Sequence, residues 1–288
     1  MMNGNNIITR RELFKEINQI LKNSKIDTPE TEACFIMEYI FKKNIGYILM
    51  DGNMPVTLEI INKAYSICKR RIQHYPLQYI FGEWEFYGIS LEIGEGVLIP
   101  RADTEILVDT VCSLRSGMKE TKLLDLCSGS GCIPIAISSN LPNVSGYALE
   151  NDYQAFEYLK KNLEKHAPKI IPFKCDVVQS KTACRFPKFD IITCNPPYLT
   201  INDMECLQKE VTFEPEAALF GGDDGLFFYK HITKFWKNSL CKGGYLVYEI
   251  GKGQENDVTN ILKQNGFENI QYFKDFNGII RVITASSS

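Results

Sequence analysis

At 288 residues with 44% hydrophobic content, the chain is long enough for one large α/β domain and a smaller companion, each with its own core. Lys and Arg number 32 against 35 Asp and Glu, a formal charge of −3 with pI about 5.8, which excludes global attraction to a polyanion and leaves only a local basic patch open. No apolar stretch reaches the roughly 18 residues of a membrane span, and the start has the look of neither a signal nor a transit peptide, so a cytoplasmic protein is expected.

The ten cysteines are scattered, with no pair at two-residue spacing, and are read as reduced and mostly buried thiols with no metal site. Thr9, followed three positions later by Glu12, has capping-box spacing, and Leu13, Ile17, Ile20 and Leu21 form one apolar stripe, which predicts a first helix. A second starts at Asp27 or Thr28 with Pro29 in its first turn, buries Ala33, Ile36, Met37, Ile40 and Phe41, and is closed by Asn44 and Gly46. A third, over 57–74, carries Leu58, Ile61, Ala64, Tyr65, Cys68 and Ile72 on one side. Amphipathic helices with short connections bury their stripes on each other, so residues 1–75 are expected to form a helical domain with no catalytic constellation.

Residues 76–104 are aromatic and punctuated by glycine, with Tyr79, Ile80 and Phe81 before Gly82, and Val97, Leu98 and Ile99 after Gly96. Apolar runs of strand length bounded by glycines predict a β-hairpin linker. Asp103 and Glu105 are read as first-turn charges of a helix reaching about residue 114.

From residue 105 a larger domain is expected to run to the end of the chain. Short apolar runs alternating with helical patterns argue for a parallel sheet with helices on both faces. The strands fall at 122–126, 144–149, 170–175, 189–194, 244–250, 269–273 and 281–284, with helices at 153–166, 225–238 and 254–265 among them. Seven strands with two late ones close together fit a doubly wound, Rossmann-like sheet ending in an antiparallel hairpin.

The first of these strands leads into Asp125, Leu126, Cys127, Ser128, Gly129, Ser130 and Gly131, then a helix with Pro134 in its first turn. Glycines there let the backbone approach a ligand while the helix N-terminus offers free N–H groups. A sharp turn needs glycine in any case; position strengthens the ligand reading, because the next strand ends at Glu150, where a carboxylate can take both ribose hydroxyls. No Gly-Lys-Ser or Gly-Lys-Thr follows, and the third glycine of a dinucleotide fingerprint is missing. The fourth strand ends in Asn195, Pro196, Pro197 and Tyr198. Neither proline can continue the ladder, and the stiff turn holds the Asn195 amide and its carbonyl oxygens away from the strand end, an acceptor cluster suited to a planar NH2 group. On these four residues alone, a stiffened loop fits equally well.

Taken together the chain resembles the release-factor glutamine methyltransferase family, a branch of the class I methyltransferases that use S-adenosyl-L-methionine. The resemblance rests on the helical N-terminal region, the linker from Pro76 to Glu105, the glycine turn with Glu150, Asn195 to Tyr198, Phe213-Glu214-Pro215 with Gly221, Gly222, Gly225 and Leu226, and Lys274-Asp275 with Arg281-Val282. It departs from the family at Cys127, often glycine, and Ala102, often proline; a thiol at 127 requires negative φ or some strain. Asn-Pro-Pro-Tyr by itself is shared with amino methyltransferases acting on adenine or cytosine.

The resemblance implies a seven-stranded class I methyltransferase fold and N5-methylation of the glutamine in the Gly-Gly-Gln loop of a peptide chain release factor, leaving S-adenosyl-L-homocysteine. Asp125, Cys127, Ser128, Gly129, Ser130, Gly131, Glu150, Asp176, Val177 and Asn195 would bind the cofactor, with Asp176 and Val177 near the adenine. Phe86, Tyr87, Pro100 and Arg101 would wall its cleft. Asn195 Oδ1 and the Pro196 carbonyl would each accept one hydrogen of the substrate NH2, with Pro197 stiffening the turn and Tyr198 stacking on the amide plane. No general base is required, and His74, His166 and His231 are read as structural or surface residues. Glu210, Glu214 and Glu216 are read as a solvated loop that can attract a basic partner. A ribosomal-protein glutamine, the N6 of adenine in nucleic acid, and a non-catalytic scaffold remain as rivals. The charge balance offers little for direct nucleic-acid binding.

Overall fold

The computed structural model describes residues 8–287 and divides into two compact units. One holds the chain up to Gly82 together with Lys209–Phe213; the other holds Glu83–Gln208 and the chain from Glu214 onward.

The first unit is helical. Helix α1 (Arg10–Asn23) is closed by the capping box foreseen from Thr9 and Glu12, with the Thr9 N–H donating to Glu12 Oε2 at 2.8 Å. Helix α2 (Pro29–Phe41) stops at Lys42, which adopts left-handed φ of 51°. Asn44 does not close it. Asn44 instead caps a further short helix, α3 (Ile45–Met50), accepting from the Gly46 N–H at 2.9 Å. An Asn after an apolar run serves a helix start as well as a stop.

Helix α4 (Leu58–Arg71) buries Ala64, Ile67, Cys68 and Arg71, whereas Leu58 and Tyr65 face out. The inward stripe of α4 ends on a charge, Arg71, so apolar spacing alone misplaces the buried side of this helix. Arg71 is neutralised by Glu32, at 2.6 Å and 2.8 Å, and by Glu210 at 2.8 Å. Leu13, Ile17, Leu21, Ile36, Met37 and Ile48 fill the core of this unit. Residues 77–81, expected as part of a hairpin, form α5 (Leu77–Phe81), capped by Gly82 in the left-handed region.

The second unit opens with the hairpin β1 (Glu83–Phe86) and β2 (Ile89–Glu92), shorter than the 76–104 linker outlined for it. Tyr87 and Gly88 both have positive φ, the demand of a two-residue turn. The apolar run Val97–Ile99 is not a strand. A 3-10 turn (Ala102–Thr104) leads into α6 (Glu105–Leu114).

Then come β3 (Thr121–Leu126), α7 (Cys132–Asn140), β4 (Val144–Glu150), α8 (Tyr153–His166), β5 (Ile170–Lys174), α9 (Ser180–Ala183) and β6 (Phe189–Cys194). The remainder holds α10 (Ile201–Glu205), α11 (Phe227–Trp236), β7 (Leu240–Glu249), α12 (Glu255–Gln264), β8 (Phe267–Lys274) and β9 (Ile280–Ser287). The sheet order is β5-β4-β3-β6-β7-β9-β8, parallel from β5 to β7, with β9 antiparallel to both its neighbours. This is the seven-stranded sheet with a late antiparallel hairpin that the sequence predicts.

Successive residues pack on opposite faces. Leu124, Ile192, Tyr248 and Ile283 meet α11 and α12 through Tyr229, Trp236 and Leu262, while Leu123, Ile191, Val247 and Val282 join a core with Val108, Ile133 and Leu159. Burial on both faces explains the near-continuous apolar strands. The strand order reverses at β3, so β4 and β6 leave it on opposite sides and a crevice opens at their carboxyl ends.

Candidate active site

That crevice contains a cavity of about 420 Å³. Cys127, Ser128, Gly129, Ser130, Glu150, Asp176, Val177, Asn195 and Pro197 all line it. Asp125, Gly131, Pro196 and Tyr198 do not.

Asp125 lies wholly buried beneath the turn. Its Oδ1 accepts from Thr193 Oγ1 at 2.6 Å, its carbonyl accepts from Ser128 Oγ at 3.0 Å, and Oδ2 has no partner. Burial pushes its carboxyl up to about 7, against the hydrogen bond from Thr193. Gly131 opens α7 at φ of 84°, where an added Cβ would meet Leu159 Cδ1 at 2.8 Å. Cys127 takes φ of 57° and keeps the left-handed backbone of a glycine. The strain alternative for the thiol therefore holds.

Glu150 is the acceptor that closes this turn. Oε2 takes the Gly129 N–H at 2.8 Å, and Oε1 takes those of Asn151 and Asp152 at 2.7 and 2.8 Å. Burial raises its pKa, and the three N–H donors pull it back. A carboxylate has roughly four acceptor positions, so one remains for a hydroxyl. Asp176 forms its own turn, accepting from the Val178 N–H at 3.0 Å, and the Val177 carbonyl accepts from Trp236 Nε1 at 2.9 Å.

On the other wall, Asn195 Nδ2 donates to Thr104 Oγ1 at 3.4 Å. Tyr198 is largely buried, which raises its phenol pKa, and its carbonyl accepts from Gln254 Nε2 at 3.1 Å. One strand over, at the end of β7, Glu249 is 3% exposed. Burial pushes its carboxyl up to about 7, and Thr104, Arg281 and Asn195 draw it down.

Thr104, Gln254 and Glu249 were missed from sequence. Only Glu249 carried a signal, an acid at a strand end as at Glu150. Of the residues expected to wall the cleft, Pro100 and Arg101 line it. Phe86 lies instead in the core, and Tyr87 is bound to α6, its N–H donating to Glu105 and its hydroxyl to Asp109. Hairpin alternation turns Phe86 inward, away from the cavity.

Glu210 and Glu214 are not solvated loop charges. Glu210 pairs with Arg71 and with His74, 3.0 Å away, inside the helical unit. Glu214 is 6% exposed, accepts from the Ile99 N–H at 2.9 Å and pairs with Arg101. Asp103 forms an ion pair with Arg281 at 2.9 Å. Every cysteine is a free thiol, with Cys68 and Cys194 buried and Cys184 and Cys206 exposed, so burial is less general than expected. Among the described residues no cluster of His, Cys, Asp and Glu is placed to hold a metal, and no helix is long and apolar enough to cross a membrane.

A seven-stranded sheet ordered in this way, with a glycine turn, an acidic strand end, and Asn195 and Pro197 of Asn-Pro-Pro-Tyr lining one cavity, defines the class I methyltransferase fold. The hMettl16 catalytic domain shares it at TM-score 0.55 and 17% identity, over 82% of this chain and 85% of that one. A methyltransferase from Pyrococcus furiosus does so at TM-score 0.51 and 15% identity, over 76% and 98%.

Residues 12–82 match the PrmC N-terminal domain family, and residues 102–214 the methyltransferase small domain family. The release factor glutamine methyltransferase of Fusobacterium nucleatum is 36% identical over 96% of this chain and 78% of its own length. That of Clostridium botulinum is 34% identical over 96% and 98%. The chain belongs to the release factor glutamine methyltransferase family.

Proposed function

We propose that this enzyme transfers a methyl group from S-adenosyl-L-methionine to the side-chain amide nitrogen of the glutamine in the Gly-Gly-Gln loop of a peptide chain release factor, in the cytoplasm. The observation that carries the reading is Asn195 on the cavity wall with its Nδ2 engaged by Thr104, which leaves Oδ1 to accept from a planar NH2 group.

The cavity fits the donor. The lining carries Glu150, Asp152 and Asp176 against Arg101, an acidic balance suited to a ligand bearing a sulfonium and an ammonium. Ser130 Oγ is buried without a partner, and the N-terminus of α7 has no side-chain cap; both can receive a carboxylate. Glu150 would take a ribose hydroxyl, and Asp176 with Val177 would border the adenine. Gly129 and Gly131 hold the turn around them, with Asp125 supporting it from below. When bound, the cofactor supplies an electrophilic methyl.

The protein's own contribution is orientation. An amide nitrogen is a poor nucleophile because its lone pair is delocalised into the carbonyl. Asn195 Oδ1 and the Pro196 carbonyl would accept its two hydrogens, aim it, and stabilise the positive charge that develops on it. Pro196 and Pro197 keep these acceptors from moving, and Tyr198 would cover the amide plane. Glycines beside the target glutamine suit a thin loop entering a deep cleft. The helical unit is the candidate for holding the rest of the partner.

The test is mass spectrometry of purified release factors incubated with enzyme and cofactor. One added methyl on the tryptic peptide that bears the loop is expected. An unmodified peptide under conditions where another protein or a nucleic acid accepts the methyl would overturn the assignment.

A further inference from the structure

The side-chain amide of an Asn presents oxygen or nitrogen to a ligand depending on a single flip, and only its neighbours decide which. Asn195 must offer oxygen if it is to accept from an NH2 group. Its Nδ2 donates to Thr104 Oγ1, and Thr104 is 2% exposed. A hydroxyl that accepts from Nδ2 must send its own hydrogen elsewhere. The group beside both side chains is the Glu249 carboxyl, buried at the end of β7, where Tyr248 pairs in register with Cys194 on β6. One carboxyl oxygen, Oε2, is buried with no hydrogen-bond partner, an acceptor position left to fill.

We propose that Glu249 is a positioning residue for Asn195, accepting from the Thr104 hydroxyl and from Asn195 Nδ2 and so fixing the flip that leaves Oδ1 facing the substrate. The direction of the chain depends on Glu249 being an acceptor only. Once protonated, or replaced by an amide, it can donate to Thr104 Oγ1 or to Asn195 Oδ1, and both flips become available.

The inference deepens the functional reading above and rests on it for the identity of the acceptor, though not for the Glu249–Asn195 coupling. The groups facing Glu249 are Arg281 from β9, Asp103 from the 3-10 turn, Tyr198, Tyr229 from α11 and Cys132 from α7. Arg281, Tyr198, Tyr229 and Cys132 are all shifted upward, away from neutrality. Asp125, on the far side of β6, is another buried carboxyl brought to about 7, and it requires a control.

Selective 15N labelling of asparagine, with the Asn195 side-chain signal assigned by its loss in Asn195→Ala, reads the coupling without any methyl transfer. In the wild type the Asn195 NH2 signals should shift between pH 6 and pH 8, on the scale set by a carboxyl titrating at about 7. Glu249→Gln should abolish that response and Asp125→Asn should retain it. Single-turnover methyl transfer should fall roughly 10- to 100-fold in Glu249→Gln, the scale of a misaligned reactant, and lose its decline toward low pH, while the KM for the protein substrate stays near wild type.

Thr104→Ser should keep the rate and Thr104→Val lose it, a pair that serves if Glu249→Gln does not fold. Asn195 signals that are flat with pH in the wild type, or that respond equally in Glu249→Gln, overturn the proposal. If release factors are not methylated while the NMR response is present, the acceptor assignment fails and the coupling stands.

Discussion

A Cβ placed on Gly221 would lie 2.6 Å from the Cα of Tyr198 and 2.7 Å from the Pro197 carbonyl oxygen, so the segment carrying Gly221 is seated on the backbone of the Asn-Pro-Pro-Tyr turn. Two hydrogen bonds pin the seat: the Leu199 N–H donates to the Leu219 carbonyl at 2.9 Å, and the Gly221 N–H to the Leu199 carbonyl at 2.8 Å. The turn is therefore stiff from within, through its prolines, and braced from outside. Gly221→Ala should push Tyr198 and Pro197 outward. We expect a stability loss of about 1–3 kcal/mol from overpacking and at least a roughly tenfold slower transfer from misplacement. Cofactor affinity, proposed to rest on the wall of the glycine turn and Glu150, should change little. Urea denaturation, calorimetry and single-turnover rates together check it; a variant with wild-type transfer would show that the brace is dispensable.

Asn195→Ala removes the proposed acceptor without touching the glycine turn or Glu150. Methyl transfer should fall by roughly 10²-fold or more, the usual scale for one preorganised polar contact. Cofactor affinity measured by calorimetry should stay within a few-fold of wild type. Unchanged turnover would remove Asn195 from the mechanism.

Cys127 holds φ of 57°, in the left-handed region where a Cβ costs roughly 1–2 kcal/mol. Cys127→Gly should relieve that cost, less the entropy a glycine adds to the unfolded chain, for a net gain of about 1 kcal/mol. The urea midpoint should rise. A midpoint that falls would show that thiol packing beside the β6 core outweighs the backbone strain.

The glycine turn was legible because its chemistry is local. So were the strands that follow, since burial on both faces makes each one an apolar run. The residues that escaped have partners far away in sequence. Arg71 reads as a solvated charge until Glu32 and Glu210 are placed beside it, and Glu214 reads as part of an acidic loop until Ile99 and Arg101 meet it. Asn44 was read as a stop because an Asn after an apolar run is also the first residue of a new helix. Hydrophobic periodicity reports which side of a helix faces in and says nothing of a buried ion pair.

Asp125 offers a test of the buried carboxyl under the turn. Its ordinary value of 3.8 applies to the unfolded chain and about 7 to the folded one, so the native state holds a proton that the unfolded state has released. The stabilisation is fully present below pH 4 and is lost as the pH rises to about 7. Asp203 and Asp275 are shifted downward by their hydrogen bonds and contribute in the opposite sense, toward acid. The Asp125 contribution is therefore best isolated by difference. Wild type minus Asp125→Asn stability, from urea titrations at pH 5 and pH 8, should be more favourable at the lower pH. A difference independent of pH would mean that Asp125 is ionised throughout.

Glu214 ties the Phe-Glu-Pro segment to the cavity wall, and its two contacts can be separated. Glu214→Gln keeps an oxygen for the Ile99 N–H and gives up the charge paired with Arg101, which is itself 40% exposed and partly screened by solvent. Its effect on cofactor affinity should be a few-fold at most. Glu214→Ala leaves the Ile99 N–H without an acceptor in a buried position, a penalty of about 1–3 kcal/mol, which the segment can escape only by shifting. Because Ile99, Pro100 and Arg101 line the cavity, that shift should weaken cofactor binding by roughly tenfold or more. Calorimetric titration of both variants checks the ordering. Equal losses in the two would assign the effect to the Arg101 ion pair in place of the backbone contact at Ile99.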